Sequence, residues 1–185
     1  MRAGLTVDRV VRAGADLADA SGFDQLTLSA VARHFGVQVA SLYSHVRNSQ
    51  DLRTRIALLA LDDLAGRAAT ALAGRFGRDA LLALGDVYRT YAREHPGRYA
   101  AARIPVDHAT AAASAGPRLA EMMRAVLRGY GLSEPDQTHA VRLLGSVFHG
   151  YVDLERSGGF DHSSPDSQQS WVRIMDALDA MLHHF

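Results

Sequence analysis

Thr27–Leu52, TLSAVARHFGVQVASLYSHVRNSQDL, sets two short amphipathic patterns on either side of a glycine. Leu28, Val31, Ala32 and Phe35 recur at three-and-four spacing behind Thr27, a residue type that caps helices. A second stripe, Leu42, Tyr43 and Val46, predicts a helix from about Val39 to Val46. Gly36 falls where the chain must leave the first helix, a place suited to the positive φ that glycine adopts without Cβ strain. Helix, tight turn, helix is the helix-turn-helix layout.

Burial of Leu28, Val31, Ala32, Leu42 and Val46 against a preceding helix leaves Gln38, Val39, Ala40, Ser41, Ser44 and His45 outward. A short helix of this kind fits a major groove about 12 Å wide and offers small and polar side chains to base edges. Val39 and Ala40 suit thymine methyls, and Ser41, Ser44 and His45 suit hydrogen bonds to bases or phosphates. Tyr43, Arg47 and the backbone amides at the helix starts at Thr27 and Ser49 suit phosphates. The same periodicity also fits a surface αα-hairpin that never meets nucleic acid.

Working outward, Val7, Val10, Val11, Leu17 and Ala18 form a helical stripe upstream, with Gly14 on it, Thr6 as its cap and Gly22 as its stop. Glycine at 14 would let a neighbouring helix approach closely. Downstream, Leu52, Ile56, Leu59, Leu61 and Leu64 carry a longer helix to about Ala73. Further helices are expected over 79–95, 117–130, 135–157 and 166–184, with irregular or broken helix at 104–117. No strand-like alternation or internal repeat occurs. The predicted class is all-α, with a helix-turn-helix DNA-binding domain at 1–50 and a helical effector-binding and dimerisation domain at 51–185.

Composition narrows the function classes. All 20 basic residues are arginine and balance 20 acidic ones, so no global charge points to nucleic acid; residues 1–55 hold only a slight excess of Arg over Asp. With no cysteine, thiolate chemistry and disulfides are excluded. No apolar run approaches the ~20 residues of a membrane span, and MRAGLTVDRVV lacks the apolar core of a signal peptide, so a cytoplasmic location is expected. His183 and His184 are adjacent and the other histidines scattered, so neither a metal nor a cofactor is expected. No nucleophile, phosphate or dinucleotide motif is present, and an enzyme is not expected.

The residue identities go further. LTLSAVARHFGVQVASLYSHVRN resembles the tetracycline-repressor (TetR) family of transcription regulators through Leu26, Thr27, Val31, Ala32, Gly36, Val37, Leu42, Tyr43, His45, Val46 and Asn48. The resemblance spans roughly residues 6–62. It implies a ligand-responsive homodimeric repressor that binds double-stranded DNA at a palindromic operator. One departure matters: the family usually has lysine, in contact with a phosphate, where this chain has Ser49. Ser49 can cap a helix but brings no cation, so weaker nonspecific affinity and a smaller salt dependence are expected unless Arg47 compensates. YRTYAREHPGRYAAA and VRLLGSVFHGYVDLERSGGF resemble one TetR subgroup at His149, Gly150, Leu154, Glu155, Gly158 and Phe160, with Gly145 where a tryptophan is usual.

For the C-terminal body the resemblance implies an effector cavity and a four-helix dimer interface. Tyr88, Tyr91, Tyr99, Ile104, His108, Met122, Met123, Val126, Phe148, His149 and Val152 mix aromatic, soft and polar groups and are candidates for a small-molecule effector site. Leu144, Val147, Phe148, Tyr151, Trp171, Ile174, Met175, Leu178 and Met181 are candidates for the dimer interface, unless they pack only within the monomer. A helical small-molecule-binding protein or enzyme using this pocket without DNA binding, and a module whose hairpin binds protein, remain open. A basic surface at Arg33, Arg47 and Arg53 would speak for DNA.

Overall fold

A computed structural model describes residues 4–185, and among them it is helical throughout, without a strand. The leader-peptide reading rests partly on Met1–Ala3, which lie outside the described residues. The helices are α1 (Val7–Ser21), α2 (Leu28–Phe35), α3 (Ser49–Leu72), α4 (Gly77–Glu94), α5 (Pro96–Ala101), α6 (His108–Ala113), α7 (Gly116–Leu127), α8 (Glu134–Arg156) and α9 (Ser167–Leu182). Short 3-10 turns cover Phe23–Gln25, Val39–Leu42 and Arg128–Tyr130. The chain divides into two packing units, one of residues 1–63 and 94–115, the other of residues 64–93 and 116–185. This packing partition differs from the functional division expected at residue 50: the first half of α3 and all of α5 and α6 fall in one unit with the N-terminal helices.

In the first unit, Thr6 accepts a hydrogen bond from the Arg9 amide and starts α1; Thr27 does the same for Ala30 and α2. Gly36 ends α2 with φ 66°, the left-handed geometry expected of it. Val10, Ala15, Val31, Leu42, Val46 and Ile56 are sealed into one core with Phe23, Leu26 and Ala101. Gly14 of α1 sits against α3: a Cβ there would lie 2.9 Å from the Ile56 Cδ1. Helix α5 packs on α1 through Gly97 and a polar cluster. The Arg98 amide donates to Asp19 at 2.8 Å, and the Arg98 guanidinium bonds Asp16. His95 Nδ1 lies 3.1 Å from Asp19.

The second unit is built on α4, α7, α8 and α9. Leu81, Leu84, Leu127, Leu144, Phe148, Trp171, Met175 and Leu182 are almost fully buried. Tyr88 packs on Phe148 at 5.5 Å between ring centroids, and Tyr151 on Trp171 at 5.0 Å. Arg89, 5% exposed, joins three helices: it makes a two-pronged pair with Glu155 at 2.9 and 2.5 Å and donates to Gln168 at 2.5 Å. Its guanidinium also lies 5.5 Å from the Trp171 ring centre. A buried charge is tolerated only when paired and hydrogen-bonded in this way.

Candidate nucleic-acid interface

The segment after Gly36 departs from the predicted α-helix over 39–46. It is a 3-10 turn at Val39–Leu42 followed by hydrogen-bonded turns to His45. The amides of Ser41, Tyr43 and His45 reach back three residues, to Gln38, Ala40 and Leu42, while that of Val46 reaches four, to Leu42. The cause is local. Valines 37 and 39 and serines 41 and 44 are weak helix formers, and Gln38 makes no side-chain cap. Leu42 and Val46, both essentially inaccessible, pin the turn to the core, and Val37 and Val39 lean on it.

That anchoring sets the exposure of the rest. Gln38, Ala40, Ser41, Tyr43, Ser44, Arg47 and Ser49 are exposed, as is Thr27; Val39, His45 and Leu28 are half-buried, and Val39 and Leu28 lean on the core. Tyr43 stands 56% exposed. The Ser44 hydroxyl donates to the Ser41 carbonyl at 3.0 Å, so its donor is already used within the turn. Among the arginines expected to form a basic surface, Arg33 is exposed, but Arg53 is not an available cation. It lies 4.0 Å over the Phe23 ring and donates to the Phe23 carbonyl and to Asp24.

The start of α3 also differs from the predicted Ser49 cap. Asn48 supplies the capping oxygen, Oδ1 accepting from the Asp51 amide at 2.8 Å. Asp51 reaches back one residue further, its Oδ2 accepting from the Arg47 amide at 2.9 Å. This is a capping box shifted by one residue. The same carboxylate receives Arg47 Nη2 at 3.3 Å and Arg55 Nε at 3.2 Å. Burial alone pushes the Asp51 carboxyl up, but the Arg47 amide and the Arg55 guanidinium outweigh it, leaving the group below its ordinary value.

The small-molecule candidates are divided between the units. Tyr99, Ile104 and His108 belong to the first unit, where Tyr99 is buried, Ile104 leans on the core and His108 is exposed at the start of α6. In the second unit Tyr88, Phe148 and His149 do meet, with Tyr88 5.6 Å from His149. Burial pushes the Tyr88 phenol up to about 12. Tyr91, Met123, Val126 and Val152 are buried and Met122 half-buried. A hollow of about 280 Å³ in this unit is lined instead by Arg67, Ala71, Arg75, Ala83, Asp86, Val87 and Thr90, none of them nominated from the sequence.

The dimer stripe needs correction. Leu144, Phe148, Tyr151, Trp171, Met175 and Leu178 are buried within the protomer, because α4 already occupies that face of α8 and α9. Val147 and Ile174 are half-buried and Met181 exposed. Leu154 and Val172, absent from the predicted set, are 53% and 48% exposed on the same two helices.

A capped helix, a left-handed glycine, a pinned turn and an outward row of small polar side chains define a helix-turn-helix DNA-binding protein. Comparison with known proteins gives the family. A profile described as "Tetracyclin repressor-like, C-terminal domain" matches residues 81–178. An uncharacterised HTH-type transcriptional regulator of Mycobacterium tuberculosis, Rv0681, is 36% identical over 167 residues, covering 88% of this chain and 76% of the relative. The chain belongs to the tetracycline-repressor family and is a DNA-binding transcriptional regulator. Among solved structures, a protein of unknown function from Rhodococcus sp. RHA1 superposes with a TM-score of 0.81 at 19% identity, covering 98% of this chain and 97% of that one. A glutamine-to-alanine variant of TetR from Acinetobacter baumannii AYE, in complex with minocycline, superposes with a TM-score of 0.73 at 21% identity, covering 98% of each.

Proposed function

We propose that this regulator is a homodimeric repressor which binds a palindromic operator through residues 27–49 and releases it when a small apolar molecule binds the second unit. The observation that carries the DNA face is the exposed row Gln38, Ala40, Ser41, Tyr43 on a turn whose only buried anchors are Leu42 and Val46. Tyr43 and Arg47 meet phosphates, and Val39, Ala40, Ser41 and His45 meet base edges. A two-fold dimer places its two turns on half-sites about 34 Å apart, one helical turn of DNA or a multiple of it. Exposed Leu154, Val172 and Met181, with half-buried Val147 and Ile174, form the self-complementary face.

The effector reading is supported by the Tyr88–Phe148–His149 group, an aromatic cluster with one polar edge, and by the minocycline complex of a protein of like fold. Helix α3 runs unbroken from Ser49 to Leu72 and contributes residues to both packing units. The ligand acts by preferring one dimer geometry over another. No catalytic role is assigned to the chain, and it works in the cytoplasm, where the operator is.

Selection of fragmented genomic DNA by the purified protein, followed by footprinting, tests the reading. An inverted repeat with the stated spacing is expected, and alanine at both Tyr43 and His45 is expected to lower affinity for it at least tenfold. Intact affinity in that variant sinks the assignment of residues 27–49.

A further inference from the structure

We infer that Asp51 is a positioning residue for DNA binding: it holds Arg47 as the phosphate-contacting cation, in place of the lysine that Ser49 does not supply. This rests on the reading of residues 27–49 as the DNA face. Asp51 lies two residues beyond that face, at the first turn of α3, and is only 9% exposed. Its two oxygens take three donors, the Arg47 amide, the Arg47 guanidinium and the Arg55 guanidinium. Through the amide bond it fixes where the backbone of Arg47 leaves the recognition turn. Through the longer side-chain bond it sets the direction of the guanidinium.

The cation itself stays available. The Arg47 side chain is 84% exposed, and the contact to Asp51 uses Nη2 alone. A guanidinium carries five N–H donors in a fixed fork, which leaves enough for a two-pronged grip on a phosphate. With Arg47 and Arg55 both on one buried carboxylate, the group of three carries a net positive charge. Asp107, a rival for the same cation, lies across a hollow of about 300 Å³ lined also by Arg47, Asn48, Gln50 and Asp51. It is occupied by the amide and hydroxyl of Thr110, at 2.9 and 2.7 Å. The tie to Asp51 lowers the entropy lost when Arg47 closes on a phosphate, because the stem is already ordered.

The sign of one substitution separates this role from simple charge. Removing a carboxylate beside DNA strengthens binding if only net charge counts; removing a positioning residue weakens it. The probe is a fluorescein-labelled duplex of about 40 base pairs and mixed sequence, titrated at several salt concentrations by fluorescence anisotropy. Arg47→Ala is expected to bind about tenfold more weakly at low salt and to flatten the log–log salt slope by about one. Asp51→Asn is expected to bind more weakly too, yet to cost much less in the Arg47→Ala background, where only its bond to the backbone amide is left to lose. Ser49→Lys added to Arg47→Ala is expected to return the lost slope.

Tighter binding by Asp51→Asn overturns the inference, as does an unchanged slope in Arg47→Ala or losses that add in the double variant. If circular dichroism finds Asp51→Asn unfolded, Asp51→Glu makes the same comparison, with the charge kept and its reach displaced. Wild-type protein that binds no duplex strikes the DNA reading itself, and that outcome is seen before any variant is made.

Discussion

At single residues the fold is least forgiving where backbones touch. A Cβ on Gly97 would lie 2.1 Å from the Ala18 carbonyl carbon, and no rotamer can relieve a clash with main chain. Gly97→Ala is therefore expected to destabilise the protein by more than the ~1–3 kcal/mol usual for overpacking, read as a lower urea midpoint. Gly14→Ala meets only side-chain tips, of Ile56 and Leu52, and is expected to cost clearly less. Gly14 was legible as a contact point from its place on the α1 stripe; Gly97 was not, because HPGR reads as an ordinary turn. The same limit hid Asp51. Its spacing from Arg47 and Arg55 is visible in the chain, but its burial depends on how the turn before α3 is pinned.

Elements were easier to foresee than their geometry. Amphipathic period and cap residues located α1, α2, α8 and α9 to within a residue or two, since both signals are local. The 3-10 character of Val39–Leu42 was not readable, because buried Leu42 and Val46 fix the turn while its own propensity is too weak to complete an α-helix. The irregular or broken helix expected over 104–117 is short α6, which Asp107 caps through the Thr110 amide. The ties between elements carry an acid sensitivity. The two-pronged Arg89 pair pulls the Glu155 carboxyl below its ordinary value against the opposing effect of burial, and Asp51 is lowered as well. A carboxylate lowered on folding adds stability above its unfolded value, near 4.5 for Glu155 and 3.8 for Asp51, which is lost as pH falls through the folded value. Thermal midpoints are expected to drop from about pH 5 downwards, less steeply in Glu155→Gln, which is already destabilised at neutral pH because Arg89 loses its counter-charge.

For the molecule as a whole, the class and the DNA-binding role were written in the residues of 26–48, while the partner surface was not. Apolar period marks which face of a helix is buried but not by what: α8 and α9 spend the stripe of Leu144, Phe148, Trp171 and Met175 on their own protomer. The dimer proposal therefore rests on Leu154, Val172 and Met181. Glutamate at both Leu154 and Val172 is expected to shift sedimentation towards the monomer and to weaken operator binding more than tenfold, with helix content unchanged; a dimer that survives both charges sinks this face. No described helix is long and apolar enough to cross a membrane.

The packing of α5 and α6 with the N-terminal helices bears on how such regulators are recombined. A single cut between Leu52 and Ala115 strands part of this packing unit, and one after Ala115 carries residues 64–93 of the other unit along with it. Residues 1–63 expressed alone would expose the seat of Gly97 on α1 and leave Asp19 without the amide of Arg98. A transplant that keeps the first packing unit whole carries 94–115 as a second, separate insert, so the two units are exchanged as interleaved pieces.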